Sequence, residues 1–398
     1  MFLESILAIT IGLIFGVLTG LAPGIHINLV SAFIISKVTS ISDTSALYVS
    51  LFIVSLAITH TILDFIPSVY LGAPEEDTYL SVLPGHELLK QGKGHEAVSL
   101  AVSGAIIGII ILLVLSPILI FTILPLEKII SKAIPFILIA VSLYIILREK
   151  KTLTALMIFV AAGFLGYVSF NLPVKDPLLP LLTGLFGAST IILSIRNKIK
   201  VPKQKESEFF TKPNKKEIKK IVLPSLIVAP WCTFLPALGS GYAALISSEI
   251  ANQSRRSFMA LTGLLNTFIM AGSFLIVYLN EKTRTGAAAA IKELIAPISG
   301  KEVSIILIAA LISSLAAAFI ALFISKKCAN YINKINYRML SIIIAVILIL
   351  VVLIFSNSIG FLILAASTSL GIATISSEVK RTHLMGALII PTIIYYLV

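Results

Sequence analysis

Three consecutive carboxylates, Glu75, Glu76 and Asp77, interrupt a chain that is otherwise almost continuously apolar, and Pro74 and Pro84 flank them. Ionisable side chains in apolar surroundings are tolerated mainly where they face a watery or protein-lined cavity, so they are candidates for function. Acidic residues also suit the first turn of a helix, which makes an interfacial loop the structural alternative. We interpret the cluster as a candidate for cation coupling or gating.

A second ionisable pair lies shortly before this cluster. His60 and Asp64 are four residues apart, beside Thr59, and therefore share one face of a predicted helix. Such a pair suits proton relay or cation binding, and a hydrogen bond between helices explains the spacing equally well. The equivalent segment of the second half carries Asn266 and Thr267, which are neutral and suited to orienting a ligand.

A helix break precedes two polar side chains near the start of the chain. Pro23 and Gly24 interrupt an apolar run directly before His26 and Asn28. A Pro-Gly break frees backbone groups that need new partners in a bilayer. The half-helix that follows presents the positive end of its dipole, which suits an anion, whereas a kink capped by its own side chains needs no ligand.

A second break, at Pro236, leads into Gly239, Ser240 and Gly241. Glycines permit close backbone approach, so several N–H groups can converge on a small anionic group. Small residues also favour close helix packing in membranes. The two breaks, with Asn266 and Thr267, are the predicted substrate-binding residues. His60, Asp64 and the acidic cluster are the predicted ion-coupling residues.

Composition assigns the chain to the polytopic α-helical membrane class. Of its 398 residues, 58% are hydrophobic and 13% charged, and the mean hydropathy is +1.04. The net charge of +12 is attributed to cytoplasmic loops rather than to nucleic-acid binding. Cys232 and Cys328 belong to no C-x-x-C pair, and the sequence contains neither H-E-x-x-H nor a Walker A motif. No metal, cofactor or ATP-driven step is expected.

About ten apolar segments are long enough to cross the membrane. They are 44–65, 97–124, 133–147, 152–170, 178–195, 257–279, 303–325, 339–356, 358–376 and 384–398. Four further segments are broken or amphipathic and are interpreted as re-entrant hairpins or unwound helices: 3–41, 66–84, 222–250 and 284–298.

A weak internal repeat divides the chain. Val69-Tyr70-Leu71 recurs 208 residues later as Val277-Tyr278-Leu279, and other short matches follow at similar offsets. We predict a first transmembrane repeat (1–195), a basic cytoplasmic linker (196–220) and a second repeat (221–398). An odd number of spans in each half makes the repeats inverted, and this topology places 23 of the 31 Lys and Arg residues inside.

Taken in order, these motifs resemble the large permease subunit of tripartite tricarboxylate transporters, a TctA-like family. The matching stretches are Gly20 to Gly24, Pro67 with Gly72 to Pro74, Pro84-Gly85 with Lys90 to Lys93, Leu182 to Phe186, and Pro236 with Gly239. Ala237 and the acidic cluster depart from the family pattern, and the short chain resembles an archaeal-type branch. The resemblance implies a carboxylate permease driven by an ion gradient. It also implies a small membrane subunit and an extracytoplasmic binding protein as partners.

The expected function is therefore secondary-active transport of a small organic anion, a di- or tricarboxylate, coupled to Na⁺ or H⁺. The protein is expected to be a multi-pass protein of the cell membrane, in contact with lipids, with a homodimer left open and no enzymatic activity. Two alternatives stay open: a translocase of an anionic lipid such as polyprenyl phosphate, and an integral-membrane enzyme that processes lipid.

Overall fold

The computed structural model describes residues 2–22, 43–72, 80–175, 177–196, 201–234, 239–281, 283, 285–334 and 337–397. All regular secondary structure within these ranges is helical. The elements before the linker are α1 (Phe2–Leu21), α2 (Asp43–Leu63), α3 (Phe65–Leu71), α4 (Val82–Lys90), α5 (Gly94–Leu147), α6 (Thr152–Asn171), α7 (Leu178–Leu182), a π-helical turn (Thr183–Ala188) and α8 (Ser189–Arg196). Those after it are α9 (Lys215–Phe234), α10 (Ser240–Ile250), α11 (Arg255–Asn280), α12 (Gly286–Ile295), α13 (Gly300–Tyr331), α14 (Tyr337–Ser376) and α15 (Gly386–Leu397).

Seven helices within the described ranges are long and apolar enough to cross a bilayer. Large apolar side chains on the outside of the bundle are widely exposed, as at Phe121 (80%) and Phe164 (69%). Such a surface is stable against lipid and not against water. The fold is the predicted one, that of an all-α polytopic membrane protein.

Several predicted boundaries shift. The predicted segments 97–124 and 133–147 run as one helix, α5. The boundary between 339–356 and 358–376 is as predicted, since α14 consists of two helical parts that meet at non-helical backbone at Asn357 (φ 60°, ψ −169°). The predicted hairpin 66–84 begins inside α3, which extends the preceding span as far as Leu71. Pro67 lies in the first turn of α3, where proline is tolerated, and Gly72 with its positive φ of 65° ends the helix.

Two helices form the centre of the bundle, and glycines set their distance from their neighbours. Every residue in the apolar window of α11 is buried, as is most of the α2–α3 span. Where α5 crosses α11, Gly104 faces the backbone of Ala260 and Gly263 faces the backbone of Ala101. A side chain at either glycine would meet main-chain atoms of the other helix, so the two backbones are in direct contact.

Basic loops from both halves meet at one end of the bundle, around Arg148, Lys151, Arg255 and Arg256. We call this end the basic face. The contacts of these loops are Arg148 with Glu249 (2.6 Å), Lys151 with Glu378 (3.2 Å), Arg256 with Glu217 (3.3 Å), Arg255 with Glu87, and Arg256 with Glu96. Because these pairs join segments from both halves, the loops lie on one side of the bundle, as the charge pattern requires.

The linker is held against this face. The backbone N–H of Lys205 donates to the carbonyl of Gly92 (2.8 Å), and that of Thr211 donates to Ser99 Oγ (2.6 Å). Phe209 packs against Phe319, with ring centroids 5.8 Å apart. Residues 201–214 therefore form a strap from α5 to α13 rather than a free tether.

The unit α9–α10 enters and leaves the bundle at the basic face. Lys220 Nζ donates to the carbonyl of Asn252 (3.2 Å), and Gln253 donates to the carbonyl of Lys220 (2.9 Å), so the two ends of the unit are in contact. This is the geometry of a re-entrant hairpin, as predicted for 222–250.

Helix α1 starts at the opposite face. It runs parallel to α2, because Ser55 bonds to Ile9 (2.7 Å) near one end and His60 to Thr19 (3.1 Å) near the other. The α2–α3 span ends at the basic face, where Tyr70 Oη donates to the carbonyl of Ser325 (2.9 Å). Helix α1 and the unit α9–α10 thus enter the bundle from opposite faces, and the inverted duplication stays a prediction.

A pH prediction arises at α4, which lies beside the basic face. His86 is buried there with its Nδ1 3.4 Å from the carbonyl of Val69, and burial lowers its pKa to about 4. The unfolded chain, with a histidine pKa of about 6.5, binds more protons between these values. We expect the melting temperature of the purified protein to fall as pH drops from about 6.5 towards 4. The fall should be smaller in His86→Asn, and an identical pH profile in that variant would contradict the assignment.

Candidate functional site

Helix α10 begins near the middle of the membrane. Ser240 precedes Ile250 by ten residues, and the end of α10 is fixed at the basic face by the Glu249–Arg148 pair. At 1.5 Å per residue, Ser240 is about 15 Å from that face, half of a hydrocarbon core of about 30 Å. Gly239 is the N-cap, and it has no side chain with which to satisfy the N–H groups of the first turn. The positive end of α10 is therefore presented at mid-depth.

Two unpartnered polar side chains of α11 lie at the same level. Asn266 follows Arg255, at the basic face, by eleven residues, which is about 16 Å of helix. Asn266 and Thr267 are 1% and 0% exposed. The Nδ2 of Asn266 and the Oγ1 of Thr267 have no hydrogen-bond partner among the described residues. Because an unpaired buried polar group is costly, these two atoms are candidates for contact with a ligand.

The first half supplies the equivalent group. Thr59 on α2 precedes Tyr70 by eleven residues and thus lies at about the same depth as Asn266. It is fully buried, and its Oγ1 also lacks a partner in the described part of the chain. The 208-residue offset predicted from the sequence pairs Thr59 with Thr267, and both hydroxyls lack a partner among the described residues.

The ionisable pair lies beside this level. His60 is buried with its Nδ1 3.1 Å from Thr19 Oγ1, a contact in which the tautomer decides the donor. Asp64 is buried at the junction of α2 and α3. Gly16 and Gly20 of α1 pack directly on this part of α2, and a β-carbon at Gly16 would lie 2.6 Å from Thr59 Cβ. Close packing of α1 therefore fixes the helix that carries Thr59 and His60.

The sequence comparisons agree with this architecture. The model of the tripartite tricarboxylate transporter TctA family matches residues 6–386. The chain belongs to the TctA family. It is also 31% identical to the uncharacterized protein MJ1079 of Methanocaldococcus jannaschii, over 99% of both chains, which agrees with an archaeal branch. No solved structure matches the chain. Membership makes this protein a multi-pass component of the cell membrane and a permease of a transporter family.

Part of the predicted site of this TctA-family chain lies outside the described residues. These positions are Pro23, Gly24, His26, Asn28, Pro236, Glu75, Glu76 and Asp77. The described part of the predicted set comprises Gly239, Ser240 and Gly241 at the start of α10, Asn266 and Thr267 on α11, and His60 and Asp64 on α2. Helices α10 and α2 both contact α11. The described residues thus lie on three helices that are in contact with one another through α11.

Sequence reasoning did not single out the residues around Arg381. The stretch Leu182 to Phe186, which carries part of the TctA resemblance, joins the end of α7 to the π-helical turn Thr183–Ala188. Its carbonyls at Leu185 and Phe186 accept hydrogen bonds from the guanidinium of Arg381, at 3.2 and 2.5 Å. In the sequence, Arg381 is marked only by its place in a short basic loop directly after an apolar span. There it counts as one of the cytoplasmic charges that indicate topology.

Proposed function

We propose that this TctA-family permease transports a small organic anion, a di- or tricarboxylate, by secondary-active transport coupled to Na⁺ or H⁺. The observation that carries the proposal is the coincidence, at mid-depth, of the α10 N-terminus with the unsatisfied side chains of Thr59, Asn266 and Thr267. A helix N-terminus attracts carboxylate oxygens, and hydroxyl and amide groups donate to them. Transporters with inverted repeats bind anionic substrates at such a level.

Ion coupling is assigned to the pair beside this level. Asp64 is a buried carboxylate in a membrane span, and His60 lies one turn away on the same helix face. Protonation or Na⁺ binding there would change the local charge next to the substrate position. The acidic cluster Glu75, Glu76 and Asp77 remains a second candidate for coupling or gating. The small membrane subunit, the extracytoplasmic binding protein and the homodimer remain proposals as well.

Uptake into proteoliposomes tests the function directly. Labelled citrate and succinate should accumulate when a Na⁺ or pH gradient is imposed and equilibrate without one. Movement of a labelled polyprenyl phosphate with no carboxylate flux would instead support the lipid translocase. Formation of a lipid product without transport would support an enzyme.

Asp64→Asn isolates the coupling step. This variant should lose accumulation driven by the gradient, because a neutral amide neither takes up a proton nor attracts Na⁺. It should retain exchange of labelled for unlabelled carboxylate, which needs no net ion movement. Glu293→Gln, an exposed position on α12, is the control and should behave as wild type. Full accumulation by Asp64→Asn would remove Asp64 from the coupling site.

A further inference from the structure

A cavity on the basic face lies apart from the mid-depth level. It has a volume of about 480 Å³, within the range of small-molecule sites. Three cations line it: Arg255, at the start of α11, and Lys380 and Arg381, in the loop after α14. The other lining residues are Leu80, Pro84, Phe186, Gln253, Ser254, Phe258 and Thr382. None of these ten residues is acidic, and Glu87, which pairs with Arg255, lies outside the lining.

Arg381 is held rigidly at the wall of this cavity. Besides the carbonyls of the π-helical turn, its guanidinium donates to Thr190 Oγ1 (2.9 Å) and lies 5.3 Å from the ring centroid of Phe186. Burial lowers the pKa of Arg381 to about 10, so the side chain is still charged at neutral pH. All these partners are neutral, and no ion pair to Arg381 occurs within the described part of the chain. Partly buried charges are normally matched by an opposite charge.

Polar atoms around the cavity are also left without partners. The Nε of Arg381, the Oγ1 of Thr382 and the Oε1 of Gln253 are buried and have no hydrogen-bond partner among the described residues. The N-terminus of α11, a helix of 26 residues, adds positive potential at Ser254 and Arg255. Two of these three atoms are donors, beside three cations and a helix N-terminus, which is the chemistry that binds anionic oxygens.

We propose that this cavity is a second binding site, for a small anion that carries two or more carboxylate or phosphate charges. Arg381 is the fixed contact, because its hydrogen bonds already hold the side chain in place and little conformational entropy is lost on binding. Lys380 and Arg255 are the mobile contacts, since both side chains are exposed. Arg255 also forms an ion pair with Glu87. The ligand is either free in solution or the headgroup of an anionic lipid, since the same oxygens serve both. The site goes beyond transport and does not depend on the mid-depth site.

The decisive experiment measures binding rather than transport. Citrate and inorganic phosphate are titrated calorimetrically into purified Thr59→Val/Thr267→Val protein, in which the mid-depth site is disabled. In parallel, co-purifying phosphatidylglycerol is quantified by mass spectrometry. The same measurements are made after Arg255→Gln/Lys380→Gln is introduced into this protein, a change to exposed side chains only. They are repeated with the matched pair Arg148→Gln/Lys326→Gln instead. The matched pair removes the same charge from the basic face outside the cavity.

We expect saturable binding that weakens at least tenfold in Arg255→Gln/Lys380→Gln and changes little in the matched pair. Citrate or phosphate binding that follows this pattern identifies a free anion, and lipid retention that follows it identifies a headgroup. No binding of any of the three, or equal weakening in both double variants, would overturn the proposal. Arg381→Lys, which keeps the charge and loses the planar fork, should weaken binding as well.

Discussion

Carboxylate uptake by the Thr59→Val/Thr267→Val variant is expected to fall by at least about tenfold at subsaturating substrate. A hydrogen bond to a charged ligand contributes about 1.5–3 kcal/mol, and each 1.4 kcal/mol is tenfold in affinity. The substitution keeps the shape of the side chain and removes only the hydroxyl. Labelled citrate flux into proteoliposomes, measured over a range of concentrations, should show the loss as weaker apparent affinity.

The same variant should be as stable as wild type or more stable. Neither hydroxyl has a partner among the described residues, so valine removes an unsatisfied buried group and no contact. The matched control is Thr61→Val/Thr262→Val, in which each hydroxyl donates to a carbonyl of its own helix, at 2.8 and 2.9 Å. The control should lose a little stability and keep transport. Equal uptake by the two double variants would refute the assignment of the mid-depth site.

Gly104→Ala is expected to destabilise the protein by about 2 kcal/mol or more. A β-carbon at this position overlaps the carbonyl of Ala260 and comes within 2.9 Å of the N of Leu264, both main-chain atoms that cannot rotate away. Overpacking of a rigid interior costs typically 1–3 kcal/mol and occasionally more. The effect is measured as a shift in melting temperature in detergent, with the folded fraction after heating monitored by size-exclusion chromatography.

Gly300→Ala supplies the control for this substitution. A β-carbon there would meet only Tyr278 Oη, at 3.7 Å. Because alanine favours helix over glycine by about 1 kcal/mol, this variant should be neutral or slightly stabilised. Equal melting temperatures for Gly104→Ala and Gly300→Ala would show that the α5–α11 contact is not tight.

Composition and charge were sufficient to predict the membrane class and the clustering of basic loops, because both depend on sums over many residues. The re-entrant geometry of 222–250 followed from one local signal, the Pro236 break. Helix boundaries were less predictable: Gly72 ends α3 through its positive φ, which hydropathy does not register. The boundary at position 357 is one that the segments 339–356 and 358–376 predict, and Asn357 adopts a positive φ there.

The candidate site was predictable only in part. The sequence alone proposes Asn266 and Thr267, because the repeat points to them, whereas Thr59 was passed over for its ionisable neighbours His60 and Asp64. What distinguishes Thr59 is the absence of a partner for its hydroxyl among the described residues, a tertiary property. Arg381 was missed for the same reason: its role depends on carbonyls almost 200 residues earlier in the chain.

The crossing of α5 and α11 has a consequence for biosynthesis. Gly104 and Gly263 lie on opposite sides of the linker, and each seats against the main chain of the other helix. The ribosome synthesises α5 well before α11. Until α11 is inserted, Gly104 has no α11 backbone against which to pack. The contact between α5 and α11 therefore forms only when the second half enters the bilayer.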